Sequence, residues 1–525
     1  MVKRPAQDSQ TVQPPAKKRK LQPDALSRLS DELVLRIFSN LSVQELNLCQ
    51  RVSPRLRIIA GDSQLWKAAY HDRFVQPRIA RVGRRKSSSI KPLSKIARWL
   101  DEGDLVRNGP ATNWKRQYKT RHNWSRGTCD VSEIHVAVQP PVPAMLARLQ
   151  DGIVYTADVH AGLRAWSYRG ERKLLASISL VAGLQETSTA SPTAIAVMVQ
   201  EEVGARISVG FADGSFSIFE YDAAKACFKL CYSHPKAEHG AITALALSST
   251  FLLCMTHTQT LSLFQFRAQL NHPILLNTLR SQTAWPPLSL SIRPRGTYIL
   301  ASIAYCMPVF PSGWTAGVQE LLFAADGTIL ESRLASAAGQ GFTSLARDPL
   351  PVAFQGNPQP GDSSPTDQVQ SKPTSISYSH PYLLASHSDN TMSLYMVKST
   401  AAHLSMSIGK RLWGHTSSIF NAQVGGRGKA ISVSARGDEI RVWELEGGLT
   451  RRGSSGEETD EASIQITSER RIVDTLSRET SLAQASATSK GIAVTCGWVG
   501  FDDESVVVLR EQEHGSQALT VFDFS

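Results

Sequence analysis

The chain has 525 residues, 42% hydrophobic and 20% charged, with 35 Gly and 26 Pro, which excludes a collagen, a coiled-coil rod and wholesale disorder and predicts two to four structural units at roughly 150 residues each. Its net charge of +11 is uneven: residues 1–126 hold 27 Lys/Arg against 10 Asp/Glu, a net of +17, and residues 127–525 hold 30 against 36, a net of −6, so a basic arm or small domain joins a larger, mildly acidic one. The longest apolar run, Tyr298–Phe310, has thirteen residues and a proline, short of the roughly 20 a membrane-spanning helix needs, and the seven Cys show no CxxC spacing, which fits a reducing compartment better than a disulfide scaffold.

Residues 1–26 are rich in Pro, Gln, Lys and Arg and poor in aromatics. Such a segment buries too little apolar surface to offset its ordering entropy, and a disordered tail is expected. Met1–Lys20 lacks the apolar stretch of a secretory signal. Lys3-Arg4, followed twelve residues later by Lys17-Lys18-Arg19-Lys20, matches the two-cluster pattern of a nuclear import signal. The expected partner is an import receptor and the expected location the nucleus, with the cytoplasm as a second place. A plain solvated charge run is the alternative reading.

Residues 27–76 switch to helical periodicity. Leu29, Leu33, Ile37, Phe38 and Leu41 recur at i, i+3/i+4 spacing, the pattern of one apolar helix face. Leu46, Cys49 and Val52 continue on a second helix, and Leu56, Ile59 and Trp66 on a third, with breaks at Asn40/Ser42 and Ser53-Pro54. A unit this small cannot bury its apolar residues alone and is expected to dock on something. The order of these residues, from Leu29 through Asp31-Glu32-Leu33, Ile37-Phe38, Leu41, Cys49 and Val52-Ser53 to Trp66-Lys67, resembles an F-box. Ser30 stands where the family usually has Pro, an acceptable residue at a helix start. The resemblance implies that the module binds the Skp adaptor, and through it cullin, with Leu29, Leu33, Ile37, Phe38, Leu41, Leu46, Val52 and Trp66 as adaptor-binding residues. Without that role, the same residues would pack a helical linker.

Residues 77–128 read as a basic helical linker. Arg78–Lys95 carries three serines after Arg84-Arg85-Lys86, a pattern open to a basophilic kinase or to nucleic acid, but the lack of interleaved aromatics favours a solvated loop. Asn113–Gly127 resembles the segment that precedes the propeller in F-box/WD-repeat proteins, and Trp114, Tyr118 and Trp124 are expected to pack against that propeller.

From about residue 129, short β-branched and aromatic runs alternate with turn residues, the texture of an all-β domain. Gln355–Pro373 and Arg451–Ser468 interrupt it as expected loop insertions. A short strand ending near an aromatic recurs around Trp166, Phe219, Phe264, Phe323, Tyr395, Trp443 and Phe522, at spacings of about 45 to 80 residues. Asp213 and Asp389 each lie six residues before their aromatic, where a tight turn would enter the strand. The sixth copy, opened by Gly414-His415 and closing on Trp443, resembles a WD repeat, the four-stranded blade of a β-propeller. Copies two, three and five are recognisable and copy four keeps only the apolar pattern. Glu444 stands where the motif has Asp, and Asp438 is one residue nearer the Trp than usual. The seventh copy ends the sequence without an outer strand, and Val131–Val138 could supply it. The expected architecture is therefore a small all-α F-box module followed by an all-β WD-repeat-like propeller, seven-bladed, with six or eight blades as alternatives.

The sequence has no phosphate-binding glycine loop, HExxH, GxSxG or paired Cys/His ligand spacing, and no cofactor is expected. Gly425–Lys429 reads as a hairpin turn, Cys227 and Cys231 as core thiols, and His160, His257 and His387 as blade-turn hydrogen-bonders. The functional expectation is a non-catalytic substrate-recognition subunit of a cullin–Skp–F-box ubiquitin ligase whose propeller holds a target protein. Phosphorylated targets are not favoured, because Arg164, Arg293, Arg436 and Arg441 form no obvious set. The alternative class is a nuclear scaffold for chromatin or RNA complexes without ligase function, and an enzyme with an unrecognised site in the fourth or seventh repeat is a distant third.

Overall fold

The computed structural model describes residues 25–76, 112–180, 190–337, 371–468 and 496–525, less 201–203, 237–239, 268–271, 281–284, 310–312, 401–402, 408, 427, 438, 446–450, 453–457, 460–462 and 513–514. The chain divides into two compact units, one holding the described residues up to 76 together with 112–118, the other residues 119–525.

In the first unit the helices are α1 (Asp31–Phe38), α2 (Val43–Cys49), α3 (Pro54–Ala60) and α4 (Ser63–Tyr70), the last continuing through a π-helical turn at His71–Val75. The sequence pattern predicts three helices where four form. The two expected breaks have clear physical causes. Ser42 and Glu45 close a reciprocal capping box at the start of α2. Ser53 accepts from the Leu56 N–H, with Pro54 at the first helical position of α3. The unexpected break is at Gly61-Asp62, where Asp62 caps α4 by accepting from the Gln64 N–H at 2.7 Å. Arg55 then ties α3 back to the start of α1, bonding Asp31 at 2.7 Å and the Leu29 carbonyl. Helix α5 (Trp114–Arg126) contributes residues 114–118 to this unit and 119–126 to the other.

The second unit is a seven-bladed β-propeller. Its seven sheets, five of four strands and two (blades 5 and 7) with a short fifth strand, begin at Leu146–Gln150, Pro192–Gln200, Ile242–Leu247, Trp285–Arg295, Ser375–Ser379, Ile419–Val424 and Cys496–Phe501. All seven aromatics of the sequence repeat lie on the third strand of their blade and are buried. Blade 4 contains the long apolar run, whose Tyr298–Val309 is its second strand. A hydrophobic cluster fills every junction between neighbouring blades, including the one between blades 7 and 1. Each sheet thus buries both faces, which a ring of blades allows and an open sheet does not.

Ring closure follows the sequence expectation. Thr128–Ala137 pairs antiparallel with Gln517–Asp523, with Val131 opposite Phe522 and Ile134 opposite Leu519, so the start of the domain supplies the outer strand of blade 7. Gly127 makes this possible. Its φ is +69°, and a Cβ there would stand 2.3 Å from the Gln465 carbonyl oxygen, so only glycine lets the chain leave α5 against blade 6.

One expected loop is different. Within 451–468, Ser463–Gln465 is the outer strand of blade 6, paired with Arg441–Trp443, and Thr467–Ser468 pairs in parallel with Thr128–Cys129. The backbone donors and acceptors of the blade edge need partners, and this polar stretch provides them. Of the other expected insertion, residues 355–370 lie outside the described residues.

Candidate docking surfaces

The short helix α1 carries two apolar stripes rather than one. Val34 and Phe38 point into the module's core, Phe38 being 4% exposed, while Leu33 and Ile37, one position earlier, are 50% and 43% exposed. At about 100° per residue, neighbouring positions fall on adjacent flanks. The eight expected adaptor-facing residues divide accordingly. Phe38, Leu46 and Trp66 are inside, and Leu29 and Leu41 are half-buried. Leu33, Ile37 and Val52 are outside, Val52 being 72% exposed, and Leu48 and Ile58, which the periodicity did not single out, are exposed with them.

Trp66 explains how the core is completed from a distance. Its indole donates to the Ala60 carbonyl at 2.8 Å, and its ring meets Tyr118 edge-on with centroids 5.6 Å apart. Tyr118 also accepts from Arg73 at 2.7 Å, and Trp114 packs edge-on against Tyr70. Trp114 and Tyr118 therefore belong to the helical unit, correcting the expectation that all three aromatics of α5 pack on the propeller. Trp124 does so. It stacks on Phe524 with centroids 3.9 Å apart, donates to the Asp503 carbonyl at 2.8 Å and lies under the Lys429 ammonium.

In blade 6 the buried His415 shares a 2.5 Å hydrogen bond with Ser432 Oγ, which also accepts from the Trp443 indole at 2.7 Å. The acid completing this network is Glu439. One oxygen lies 3.3 Å from the His415 ring and accepts from the Thr416 N–H, and the other accepts from Arg441 at 2.7 Å. Sequence reasoning pointed instead to Asp438, which lies outside the described residues, and Glu444, which pairs with Arg121 at 3.2 Å. The network holds the blade together and needs no ligand.

Two of the propeller arginines considered for anion recognition are already committed. Arg164 is bonded to Asp158 at 2.8 Å with both side chains under a tenth exposed, and Arg441 is held by Glu439 and Ser463. The turn aspartates act as expected: Asp213 accepts from the Ser215 N–H and hydroxyl, and Asp389 does the same for Thr391. Gly425–Lys429 is the expected hairpin turn, closed by Gly425 N–H to Lys429 carbonyl. Of the three histidines, only His387 bonds through its ring among the described residues, to Ser393 at 3.0 Å; His160 and His257 bond through their backbone N–H groups. Cys227 and Cys231 lie on the outer strand of blade 2: Cys227 is exposed, whereas the half-buried Cys231 packs against the cluster between blades 2 and 3, and burial beside Glu220 pushes its thiol up to about 11. The import-signal residues Lys3, Arg4, Lys17, Lys18, Arg19 and Lys20 and the 78–95 cluster lie outside the described residues.

Two features of the propeller are open to solvent. The connections entering the first strands share one end of the ring, and there Val138, Val142 and Trp413 are exposed, with Phe420 on the first strand of blade 6. Such apolar groups scattered over a polar rim suit protein contact. The second feature is the central channel, about 450 Å³, lined by residues of all seven first strands.

Comparison with known proteins agrees with this geometry. Residues 129–525 match the family model described as F-box protein pof12 beta-propeller, and residues 26–72 match the one described as F-box-like. No curated protein sequence matches the chain. Among solved structures, the C-terminal WD40 domain of Sif2 is 11% identical, covers 75% of this chain and 99% of its own, and has a TM-score of 0.39. The WD40 β-propeller domain of Doa1 is 10% identical at 75% and 96% coverage with a TM-score of 0.36. Saccharomyces cerevisiae Sqt1 is 10% identical at 76% and 98% coverage with a TM-score of 0.38.

Proposed function

The chain belongs to the family of F-box proteins that carry the pof12-type β-propeller, and from that premise we propose that it is the substrate receptor of a cullin–Skp–F-box ubiquitin ligase. The carrying observation is the outer apolar set Leu33, Ile37, Leu48, Val52 and Ile58, left exposed by a module whose own core is already filled by Val34, Phe38, Leu46 and Trp66. Five exposed aliphatics on about forty residues are a surface in want of a partner, and the adaptor is the partner the F-box implies. The rim with Val138, Val142, Trp413 and Phe420 is the proposed seat of the target protein. The receptor itself needs no catalytic group. Holding the target raises the effective concentration of its lysines near a ubiquitin-charged enzyme bound elsewhere on the complex.

Co-purification tests this reading. Wild-type chain is expected to retain Skp adaptor and cullin, and the Leu33→Asp, Ile37→Asp double variant to lose both while its propeller stays folded. Retention of both by the variant, or of neither by the wild type, overturns it. Nuclear residence is part of the proposal and rests on the two basic clusters in residues 3–20. Alanine replacement of Lys17-Lys18-Arg19-Lys20 in a fluorescent fusion is expected to shift the chain to the cytoplasm.

A further inference from the structure

Blades 4 and 5 meet over an apolar cluster that includes Ala304 and Val318 from blade 4 and Tyr378 and Leu383 from blade 5. Ser302 lies two residues before Ala304 on the second strand of blade 4, and Glu320 two after Val318 on the third, so strand alternation puts both on the face turned to blade 5. The ladders align them with two more polar residues. Ser291 stands opposite Ser302, Ser302 opposite Glu320, and Glu320 opposite Arg333. A polar row therefore crosses all four strands of blade 4 inside a hydrophobic junction. Its middle is shut off from solvent, with Ser302 0% and Glu320 2% exposed.

The protein satisfies only part of this row. One Glu320 carboxyl oxygen accepts from Ser399 Oγ of blade 5 at 2.7 Å. The other oxygen and the hydroxyls of Ser302 and Ser291 are buried with no hydrogen-bond partner among the described residues. Arg333, although directly opposite Glu320, is committed elsewhere: its guanidinium pairs with Glu331 at 2.8 Å and donates to the Thr400 carbonyl at 2.5 Å. A buried polar atom left unpaired is costly, and folded proteins supply it with a partner from the chain or from ordered water. Here three such atoms lie on adjacent strands of one face.

We propose that blades 4 and 5 enclose an internal hydration site, in which water bridges the second oxygen of Glu320 to Ser302, and Ser302 to Ser291. Residues directly opposed on neighbouring strands have Cβ atoms about 5 Å apart, a gap that one water spans with two hydrogen bonds of about 2.8 Å each. Water donates to a carboxyl oxygen and both donates to and accepts from a hydroxyl, so one species serves all three atoms. A hard divalent cation takes roughly six or more oxygen ligands, more than the three unpartnered side-chain oxygens of this row. Through Glu320 and Ser399 the bridge ties the third strand of blade 5 to the middle of blade 4. The site lies wholly within the propeller, so it stands apart from the adaptor reading.

The test is a crystal structure of the full chain in which ordered water is resolved, together with the melting temperatures of Ser302→Ala and Ser302→Val. Density for a water within hydrogen-bonding distance of both Glu320 and Ser302 supports the site. Density that shows Glu320 bonded directly to a second protein donor, or no ordered atom beside Ser302, overturns it. An anomalous signal at that point from crystals soaked in rubidium marks a monovalent cation and overturns it too. The variants decide in solution. Valine suits a strand better than alanine and buries more apolar surface, so at a dry position Ser302→Val is the more stable of the two. At a hydrated one its methyl groups displace the water and leave the Glu320 oxygen unpaired, whereas Ser302→Ala leaves room for it. Ser302→Val is therefore expected to melt below Ser302→Ala, and an equal or higher melt overturns the proposal. Should Ser302→Val not fold, the wild-type crystal decides alone.

Discussion

The two units of this chain solve opposite problems. The propeller buries both faces of every blade, joins its last sheet to its first through Thr128–Ala137, and keeps all seven repeat aromatics inside. The helical module fills a small core and leaves Leu33, Ile37, Leu48, Val52 and Ile58 outside. A closed ring is complete by itself, whereas four short helices of seven or eight residues are too few to cover their own apolar surface. The lesson is that exposed apolar residues mean different things in the two units. In the module they are what a small core leaves uncovered; in the propeller they stand on the rim of a structure already closed.

The sharpest way to break the contrast is to attack closure. Ile134 is 6% exposed and faces Leu519 in the strand that seals blade 7. Ile134→Asp places an unpaired carboxylate between blades 7 and 1, and a loss of about 4 kcal/mol or more is expected. It should appear as a large drop in the propeller's melting temperature. Val138→Asp, just beyond the strand at an exposed position, should leave the melt unchanged. Similar effects for both would mean the ring does not depend on this strand.

The module makes the complementary prediction. Phe38→Ala should cost about 3–5 kcal/mol of module stability, read as faster amide exchange across α1 to α4. Leu33→Asp should change stability by less than about 0.5 kcal/mol while abolishing adaptor capture. If Phe38→Ala instead spares folding and Leu33→Asp unfolds the module, the assignment of inner and outer stripes is reversed.

These tests also mark how far the sequence could be read. The third strands were legible because an aromatic ends an alternating run in each, and burial between blades demands that pattern. Closure was legible because the last repeat lacked a fourth strand and Val131–Val138 had the right alternation. Ser463–Gln465 was not legible: an outer strand is only three residues long and half-solvated, so a polar, Gly- and Ser-rich sequence serves as well as an apolar one. The fourth helix was hidden because Gly61-Asp62 stops α3 without a proline. On α1, i, i+4 spacing identifies a stripe, but Leu33/Ile37 and Val34/Phe38 both have it, and only packing tells which faces in. The channel was beyond reach, since its lining is assembled from seven first strands separated by tens to hundreds of residues.

Within the propeller, the hydrogen-bonded network of blade 6 gives a medium effect. His415→Ala removes the bond to Ser432 and leaves Glu439 short of a neighbour. The expected cost is about 1–3 kcal/mol, measured as a lower denaturation midpoint. The junction between blades 3 and 4 is a hydrophobic cluster, and the variant should leave it untouched in amide exchange.

The smallest effect depends on pH. Burial alone would raise the pKa of Glu439, but the Thr416 N–H, the Arg441 guanidinium and His415 outweigh it and hold the carboxyl below its ordinary 4.5. A carboxylate whose pKa is depressed in the folded state adds stability that is present above pH 4.5 and is lost as pH falls through the lower, folded value. Glu439→Gln keeps an acceptor for Thr416 but removes the charge facing Arg441. At pH 7 it should be less stable than wild type by about 1 kcal/mol. Below pH 4.5 the two stability curves should converge as the wild-type carboxyl takes up its proton. A gap that stays constant from pH 7 to about pH 3, well below the ordinary carboxylate range, would mean that the shape of Glu439, and not its charge, is what blade 6 requires.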